Sequence, residues 1–311
     1  MRILTDQDIE RVPRGILNDA IKAHIVADAE GVAASPPRHN VAMDRGAVTL
    51  AVGGGNGYAG FSAHENFNHA GNEHQDQVTA GWDTTNGKLL GLAIGDQLGN
   101  LRLDCIGSIA ADTLASQKTK TLALIGSGQE ARAQLTMAAS TRQLENVRIF
   151  DAKPVAAAEL AKQFGASSTA NVTVSGSPEE AVKNADMVIL ATNNSQPAID
   201  ASWIAPGAYV TSCGPQSKGR HELPIGIAHR AKTICSDSPQ QILADPDHFL
   251  HGESALKRMV HLGSLVGTFN PDRERGITLF LSSGVAGSDV AALKAAIGFL
   301  SAGQPVRAQA Y

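Results

Sequence analysis

The chain has 311 residues, of which 43% are hydrophobic and 18% are charged, with a formal net charge of −4 at pH 7. This length indicates about two domains and allows a sizeable buried core. The small negative charge gives no electrostatic reason to expect nucleic acid or an anionic membrane as a partner. Cys105, Cys213 and Cys235 are scattered and odd in number, so they fit neither a disulfide framework nor a zinc site. No apolar run approaches the roughly 18 residues of a membrane span, and charged residues stand where a signal peptide is apolar, so we expect a cytoplasmic protein.

The N-terminal third of the chain predicts a helix and then an antiparallel sheet. Apolar residues recur at helical intervals up to about residue 30, with Thr5 or Asp6 as the cap and Gly31 as the end of the helix. The predicted strands are Val48–Val52, Tyr58–Ala63, Val78–Trp82 and Leu89–Ile94. The last two are joined by Thr84-Thr-Asn-Gly87, in which Asn-Gly is a strong hairpin signal.

Two arginines accompany these elements. Ser35-Pro-Pro-Arg38 is a stiff turn, because the prolines fix φ and remove donors, and it presents Arg38 either to a ligand or to solvent. A helix is predicted from Asn100 to Ala115, with Arg102 at its start. The Arg102 guanidinium there either reaches a pocket or pairs with Asp96 or Asp104.

The segment from His64 to Asp76 is rich in His, Asn, Gln and Glu. His64, His69 and His74 recur at a spacing that fits no helical pair of metal ligands, and no cysteine supports them. We therefore expect a polar loop near a pocket here, and no metal site.

The stretch from Thr121 to Asp151 predicts a dinucleotide-binding unit. An apolar strand is followed by Gly126, Gly128 and Ala131 in the G-x-G-x-x-G/A pattern, and then by a helix. In this pattern the first glycine permits a tight turn, the second lets backbone approach a pyrophosphate, and the helix N–H groups face the phosphates. Asp151 ends the next strand, where a ribose-binding acid is expected. The alternative is an ordinary strand–turn–helix without a ligand.

Strands and helices alternate after this unit, which predicts a doubly wound parallel sheet of the Rossmann type. The predicted elements are helices at 154–164, after Ser177 and at about 288–300, and strands at 172–174, 186–192, 207–214, 231–236 and from 277. In such sheets ligands bind at the carboxyl ends of the strands. Asp151, Thr192 and the run from Thr211 to Gln216 lie at such ends, so we expect them around one cleft.

Taken together, these pieces resemble the ornithine cyclodeaminase/mu-crystallin family over nearly the whole chain. The resemblance rests on the order and spacing of Ser35-Pro-Pro-Arg38, Leu89-Leu-Gly-Leu-Ala-Ile-Gly-Asp96, Gly126-Ser-Gly-Gln-Glu-Ala131, Gly219-Arg-His-Glu-Leu223, Thr278-Leu-Phe-Leu-Ser-Ser-Gly284 and Asp289. It implies a homodimer with two domains in each chain. Residues 1–115 with 289–311 would form a smaller α+β domain for substrate binding and dimerisation, and residues 116–288 a Rossmann domain. The resemblance also implies a nicotinamide cofactor and chemistry at the α-carbon of amino or imino acids.

The resemblance assigns roles to individual residues. Arg38 and Arg102 match arginines near the substrate carboxylate and the nicotinamide, and Ser283 matches a residue facing the substrate. The other positions that match cofactor contacts are Gly126, Gly128, Gln129, Glu130, Asp151, Thr192, Cys213 and Ser282.

Two positions depart from the family pattern. Gly60-Phe-Ser62 has a serine where the family commonly has a substrate-binding lysine, and Gly214-Pro-Gln216 has a glutamine where cyclodeaminases carry an acid. Serine cannot form the charge-assisted hydrogen bond of a lysine, worth about 1.5–3 kcal/mol. Glutamine cannot act as a general acid or base. These departures argue against ornithine cyclodeaminase activity.

The leading hypothesis is an NAD(H)-dependent imine (ketimine) reductase or amino-acid dehydrogenase acting on a small imino or amino acid. Arg38 and Arg102 would clamp the carboxylate, because a planar guanidinium matches it bidentately. His64 and Lys218 are candidate proton donors, and Ser62 and Gln216 are candidates for binding a further polar group of the substrate.

Asp151 favours NAD over NADP, because its carboxylate bonds ribose hydroxyls and repels a 2′-phosphate, although Lys153 could soften that preference. Two other hypotheses stay open. One is an ornithine cyclodeaminase-type ammonia lyase, and the other is a non-catalytic binding protein of the mu-crystallin type.

Overall fold

Two β-sheets organise the computed structural model of the chain, which describes residues 2–67, 77–272 and 276–302. The chain divides into two compact units. The first unit comprises Met1–Ile106 and Gly284–Tyr311, and the second comprises Gly107–Ser283. The predicted domain boundaries, at 115/116 and 288/289, lie slightly further along the chain than these divisions.

The described residues form ten α-helices and sixteen strands. The helices are α1 (Asp6–Glu10), α2 (Arg14–Ala29), α3 (Gln97–Leu114), α4 (Gln129–Thr141), α5 (Pro154–Gly165), α6 (Pro178–Val182), α7 (Ile225–Arg230), α8 (Pro239–Ala244), α9 (Leu262–Leu265) and α10 (Ser288–Ala302). The strands are β1 (Arg2–Leu4), β2 (His39–Met43), β3 (Gly46–Gly55), β4 (Tyr58–Phe67), β5 (Gln77–Trp82), β6 (Leu89–Ile94), β7 (Thr121–Ile125), β8 (Asn146–Phe150), β9 (Asn171–Val174), β10 (Met187–Leu190), β11 (Tyr209–Ser212), β12 (Gln216–Ser217), β13 (Arg220–His221), β14 (Ala231–Ser236), β15 (Met259–His261) and β16 (Ile277–Leu281).

The first unit is built on a six-stranded sheet in the order β1-β6-β5-β4-β3-β2. Strand β1 runs parallel to β6, and the other neighbours are antiparallel. Helix α10 packs against β3 to β6 on one face and also against α2. Ser62 of β4 faces α10, and the register aligns it with Ala51 of β3 and Thr79 of β5.

The opposite face of this sheet is apolar and exposed. Side chains alternate between the two faces of a strand, so the neighbours of each α10-facing residue point the other way. The large hydrophobic side chains on this outer face, each 37–52% exposed, are Ile3, Val41, Met43, Val52, Val78, Trp82 and Ile94. We call this the outer sheet face.

The second unit is built on eight parallel strands in the order β15-β14-β16-β11-β10-β7-β8-β9. Strands β10, β11 and β16 are buried at every position, which is typical of parallel strands covered by helices on both faces. The chain begins this sheet at β7, proceeds to β8 and β9 on one side, and then continues from β10 on the other. The topological switch point therefore lies between the neighbouring strands β7 and β10. Such folds bind ligands in the crevice at the carboxyl ends of these two strands.

The largest difference from the sequence prediction lies at the N-terminus. The predicted single helix is instead β1, α1 and α2, because Pro13 stands before α2 and interrupts the helical pattern. The prediction that Thr5 caps a helix is confirmed, since Thr5 and Asp8 form a capping box at α1. Strand β2 was missed, because all five of its side chains are exposed and it carries no hydrophobic alternation.

Helix α3 also begins earlier than predicted. It starts at Gln97, so Arg102 lies in its second turn. Of the two alternatives for Arg102, a pairing with Asp96 or Asp104 is not the one observed, since its ion-pair partner among the described residues is Asp289 of α10. Asp104 instead contacts Arg14.

Candidate functional site

The turn between β7 and α4 has the geometry of a phosphate-binding loop. Gly126 has φ +111°, and a Cβ at that position would collide with the carbonyl oxygen of Ala191. Gly128 is the N-cap of α4, and the space beside its Cα is open to 4 Å. Gln129 and Glu130 form the first turn of α4, whose backbone N–H groups lack partners within the helix. The turn therefore leaves room for a ligand at a helix N-terminus that favours anions.

Asp151 is held beside this turn. Its Oδ2 accepts a hydrogen bond from Ser127 Oγ at 2.7 Å, and its Oδ1 accepts one from the Lys153 backbone N–H at 2.8 Å. A pocket of about 440 Å³ opens here, lined by Gly126, Gly128, Asp151, Thr192 and their neighbours. Glycines that leave space for backbone approach and an acid beside them fit the pyrophosphate and ribose of a dinucleotide.

A fully buried carboxylate organises the next strand ends, and sequence reasoning missed its role. Glu222 Oε2 accepts hydrogen bonds from both the backbone N–H and the hydroxyl of Thr192, each at 2.7 Å. Glu222 Oε1 accepts from Ser212 Oγ at 2.7 Å and from the Gly214 N–H at 2.6 Å. One side chain thus joins the loops that follow β10 and β11. The motif Gly219-Arg-His-Glu-Leu223 marked this residue without indicating its partners.

Gln216 has both ends of its amide engaged. Its Nε2 donates to the Ser282 carbonyl at 3.0 Å, and its Oε1 lies 3.2 Å from His248 Nε2. The Leu250 backbone N–H donates to His248 Nδ1 at 3.2 Å, so the network assigns the imidazole hydrogen to Nε2. Burial lowers the pKa of His248 to about 4, which keeps the ring neutral. Gln216 is therefore an anchor of its loop.

The other predicted residues of the second unit occupy different environments. Ser283 donates its backbone N–H to Asp237 Oδ1 at 2.8 Å, and Cys213 donates its own to the Leu190 carbonyl. Lys218 lies in the exposed turn between β12 and β13. Thus Cys213, Ser282 and Ser283 sit at the carboxyl ends of the parallel strands, whereas Lys218 lies at a loop tip.

In the first unit, two guanidinium groups converge. Arg38 Nη2 donates to the Gly284 carbonyl at 2.8 Å, and Arg102 Nε lies 2.9 Å from Asp289 Oδ1 in an ion pair that lacks hydrogen-bond geometry. A nitrogen atom of each guanidinium lies within 2.6 Å of the position that a Cβ on Gly284 would take. Arg102 is only 8% exposed, and Arg38 is half-buried. This partly desolvated pair of cations is a favourable site for a carboxylate.

Asp289 is the counterion of Arg102, and Ser62 contacts it. Ser62 Oγ donates to Asp289 Oδ2 at 2.9 Å, and Gln77 Nε2 donates to Oδ1 at 3.3 Å. Asp289 and Ser62 are both buried. The Ser62 hydroxyl therefore donates its hydrogen to Asp289, the residue that forms the ion pair with Arg102.

His64 lies further along β4 and is half-buried. Burial lowers its pKa, and the positive charges of Arg38 and Arg102 lower it further, against the opposing effect of the Asp289 and Glu65 carboxylates. At neutral pH the imidazole is therefore mostly uncharged.

Within residues 2–67, 77–272 and 276–302, no group of three or more His, Cys, Asp or Glu side chains is placed to hold a metal ion. His69 and His74, which the sequence analysis considered as metal ligands, lie outside these ranges. In the same part of the chain, the helices are all too short or too polar to cross a membrane.

A doubly wound parallel sheet with a glycine turn and an acid at its switch point is the architecture of a Rossmann-type domain. The sequence model of the ornithine cyclodeaminase/mu-crystallin family matches residues 5–299, and the chain belongs to that family. The resemblance recognised from the sequence motifs is thereby confirmed.

Related proteins include several dehydrogenases and reductases. A putative dehydrogenase of Rhizobium meliloti is 28% identical over 57% of this chain, and the match spans only 55% of that relative. The ketimine reductase mu-crystallin of Rattus norvegicus is 26% identical over 73% of this chain and 70% of that protein.

Solved structures share the fold over almost the entire chain. The Δ1-pyrroline-2-carboxylate reductase of Thermococcus litoralis, in complex with NADH and L-proline, has a TM-score of 0.85 at 20% identity. The alignment covers 99% of this chain and 100% of that one. An archaeal alanine dehydrogenase dimer with bound NAD has a TM-score of 0.85 at 21% identity, over 99% of both chains. These comparisons confirm the predicted fold class.

Proposed function

We propose that this protein is an NAD(H)-dependent imine reductase or amino-acid dehydrogenase, acting at the α-carbon of a small imino or amino acid. The observation that carries the proposal is the convergence of Arg38 and Arg102 at Gly284, which provides a carboxylate site in a chain that also has a dinucleotide-binding turn. The ketimine reductase and the dehydrogenase among its relatives support this choice of reaction.

The second unit supplies the cofactor site. The open space at Gly128 and the N-terminus of α4 would receive the pyrophosphate, and Asp151 would bind ribose hydroxyls. A nicotinamide cofactor bound there supplies or accepts a hydride. Ser127 and Lys153 already orient the Asp151 side chain. Because its carboxylate is negatively charged, it would repel a 2′-phosphate, so we propose a preference for NAD(H) over NADP(H).

The first unit supplies the substrate groups. Arg38 and Arg102 would bind the carboxylate bidentately and fix the orientation of the α-carbon, which accounts for much of the rate in such reactions. Asp289 holds Arg102 in place, and Ser62 supports Asp289. Ser62 therefore acts through Asp289 in this proposal and has no direct part in catalysis.

Of the two candidate proton donors, we favour His64. The charges of Arg38 and Arg102 act on its imidazole, so a bound carboxylate that offsets those charges raises its pKa. Lys218 lies in an exposed turn, where it is solvated. An iminium substrate arrives already protonated and needs little further acid catalysis, which makes this single weak acid sufficient.

Gln216 disfavours ornithine cyclodeaminase activity. Its amide is anchored to Ser282 and His248, and an amide cannot exchange a proton as an acid does. Elimination of ammonia requires managed proton transfer as well as hydride transfer, and glutamine occupies the loop position that carries an acid in cyclodeaminases.

An NADH-oxidation screen tests the proposal. The assays pair pyruvate, glyoxylate and oxaloacetate with ammonia or methylamine, and include cyclic imino acids such as Δ1-pyrroline-2-carboxylate. Steady NADH oxidation that depends on both the oxo acid and the amine, or on the cyclic imine, is expected. NADH binding without turnover of any of these compounds would indicate a binding protein, and ammonia release from ornithine with catalytic NAD would indicate a cyclodeaminase.

We also propose that the protein is a homodimer formed through the outer sheet face. Seven large hydrophobic side chains are exposed there, and a contiguous apolar patch of this kind marks an interface. An antiparallel sheet needs only one covered face within its own chain, and a second copy would cover the other. The archaeal alanine dehydrogenase, which shares the fold, is a dimer.

Light scattering during size-exclusion chromatography tests the dimer. Val52 is 44% exposed on the outer sheet face, and Val52→Lys should yield the mass of one chain where the wild type shows twice that mass. Val155→Lys is the control, because Val155 is 81% exposed on α5 in the second unit and should leave the dimer intact. A Val52→Lys protein that stays dimeric would assign the interface to another surface.

A further inference from the structure

The hydroxyl of Thr192 has a defined hydrogen-bonding polarity. Its hydrogen is donated to Glu222 Oε2 at 2.7 Å, and its oxygen accepts from the Asn194 backbone N–H at 3.2 Å. A hydroxyl has one hydrogen and two acceptor sites. Thr192 therefore has one acceptor site left and no hydrogen to offer. Thr192 also lines the pocket beside Gly126 and Asp151.

Glu222 is the cause of that polarity. As a carboxylate it can only accept hydrogen bonds, and it is completely buried, so its contacts with Thr192 are shielded from water. It holds Thr192 twice, through the backbone N–H and through the hydroxyl. This double contact sets both the position of the residue and the direction of its O–H bond.

We propose that Glu222 is a positioning residue of the dinucleotide site, which turns the Thr192 hydroxyl into a pure acceptor for a hydroxyl or amide N–H of the cofactor. The inference rests on the proposed dinucleotide cofactor and deepens it. Phosphate oxygens have no hydrogen to donate, so Thr192 accepts a hydrogen bond from a ribose hydroxyl or from the carboxamide. The phosphates bind at the turn around Gly128 and the start of α4.

The other half of the Glu222 carboxylate provides a matched control. Ser212 Oγ and the Gly214 N–H donate to Oε1, away from Thr192. Ser212→Ala removes one donor to the same carboxylate but leaves both contacts with Thr192 in place. A general loosening around Glu222 would weaken cofactor binding in this variant too, whereas a role through Thr192 would not.

The test measures NADH dissociation constants by fluorescence titration, together with thermal unfolding of each ligand-free protein. Thr192→Val removes the acceptor and should weaken NADH binding about fivefold or more, whereas Thr192→Ser restores the hydroxyl and should stay within about twofold of wild type. Glu222→Gln should also weaken binding about fivefold or more, because an amide nitrogen replaces one of the acceptor oxygens. Ser212→Ala should stay within about twofold.

The combined variant Glu222→Gln/Thr192→Val completes a double-mutant cycle. If Glu222 acts through Thr192, the combined loss should be close to the larger single loss and well short of the product of the two. Multiplicative losses, or wild-type affinity in Thr192→Val, would overturn the inference. If Glu222→Gln does not fold, the Thr192→Val and Thr192→Ser pair still decides whether the acceptor is used. A folded wild-type protein that does not bind NADH would instead refute the proposed cofactor, and the inference with it.

Discussion

Replacing Gly284 with alanine tests the arginine pair directly. Gly284 has φ +73°, and a Cβ there would lie 2.6 Å from Arg102 Nη1 and still closer to Arg38 Nη2. These separations are shorter than a van der Waals contact, so both guanidinium groups must move away from the point at which they converge. A single methyl group thereby disturbs the carboxylate site without removing either positive charge.

The expected magnitude has two parts. A left-handed backbone conformation costs a non-glycine residue about 1–2 kcal/mol, which lowers the stability of the variant. Loss of one charge-assisted hydrogen bond to the substrate carboxylate costs about 1.5–3 kcal/mol. The second part corresponds to a fall in kcat/KM for the imino acid of about 10- to 150-fold.

Gly31→Ala separates the two parts. Gly31 has the same φ of +73° and belongs to the same unit, but no atom lies within 4 Å of the Cβ it would acquire. Both variants should therefore lose stability in thermal unfolding, whereas only Gly284→Ala should lose kcat/KM in the NADH-oxidation assay. NADH affinity in Gly284→Ala should change less than kcat/KM, because Asp151 and the Gly126 turn are untouched. Wild-type kcat/KM in Gly284→Ala, or an equal loss in Gly31→Ala, would refute the carboxylate-site reasoning.

Three further predictions concern single side chains. Fluorescence titration should show tighter binding of NADH than of NADPH, and Asp151→Ser should reduce that preference about tenfold or more; equal affinities in the wild type would contradict the role of Asp151. Because the folded-state pKa of His248, about 4, lies below its ordinary 6.5, the unfolded chain takes up the proton first, and the free energy of unfolding should fall as the pH drops from 6.5 to 4. Urea denaturation should show this slope in the wild type and a shallower one in His248→Gln, and equal slopes would assign it to other groups. The pKa of His64 is lowered by burial and by Arg38 and Arg102 in the ligand-free protein, so kcat/KM for imine reduction should rise as the pH falls below the ordinary histidine range, and His64→Asn should remove that rise. An unchanged pH profile in His64→Asn would exclude His64 as the donor.

Much of the fold followed from local sequence patterns. Seven of the eight strands of the parallel sheet were predicted, because each is a short apolar run bounded by glycine or polar residues, whereas β15 was not predicted. Ser177 accepts from the Glu180 N–H as the cap of α6. The prediction failed where the local signal was absent. The exposed edge strand β2 has no buried side chain to reveal it, and the short hairpin of β12 and β13 carries too few residues for a periodic pattern.

The candidate site was predictable in its residue types but not in its pairings. Arg38 and Arg102 were recognised, but the only ion-pair partners considered for Arg102 were Asp96 and Asp104, which lie close to it in sequence. Its observed partner, Asp289, is brought beside it because α10 packs on the sheet of the first unit. Ser62 was named as a candidate for binding a further polar group of the substrate, and in the structure its hydroxyl donates to Asp289.

The sequence by itself determined the glycine turn that we propose binds the dinucleotide, because every requirement of that turn is local. Gly126, Gly128 and the start of α4 lie within a few residues of one another, and Asp151 follows after a single helix and strand. Only the tertiary structure decided the convergence of Arg38 and Arg102 and the contacts of Glu222 with Thr192. Those groups come from separate segments, and their distances depend on how helices pack and strand ends align, which no spacing along the chain records.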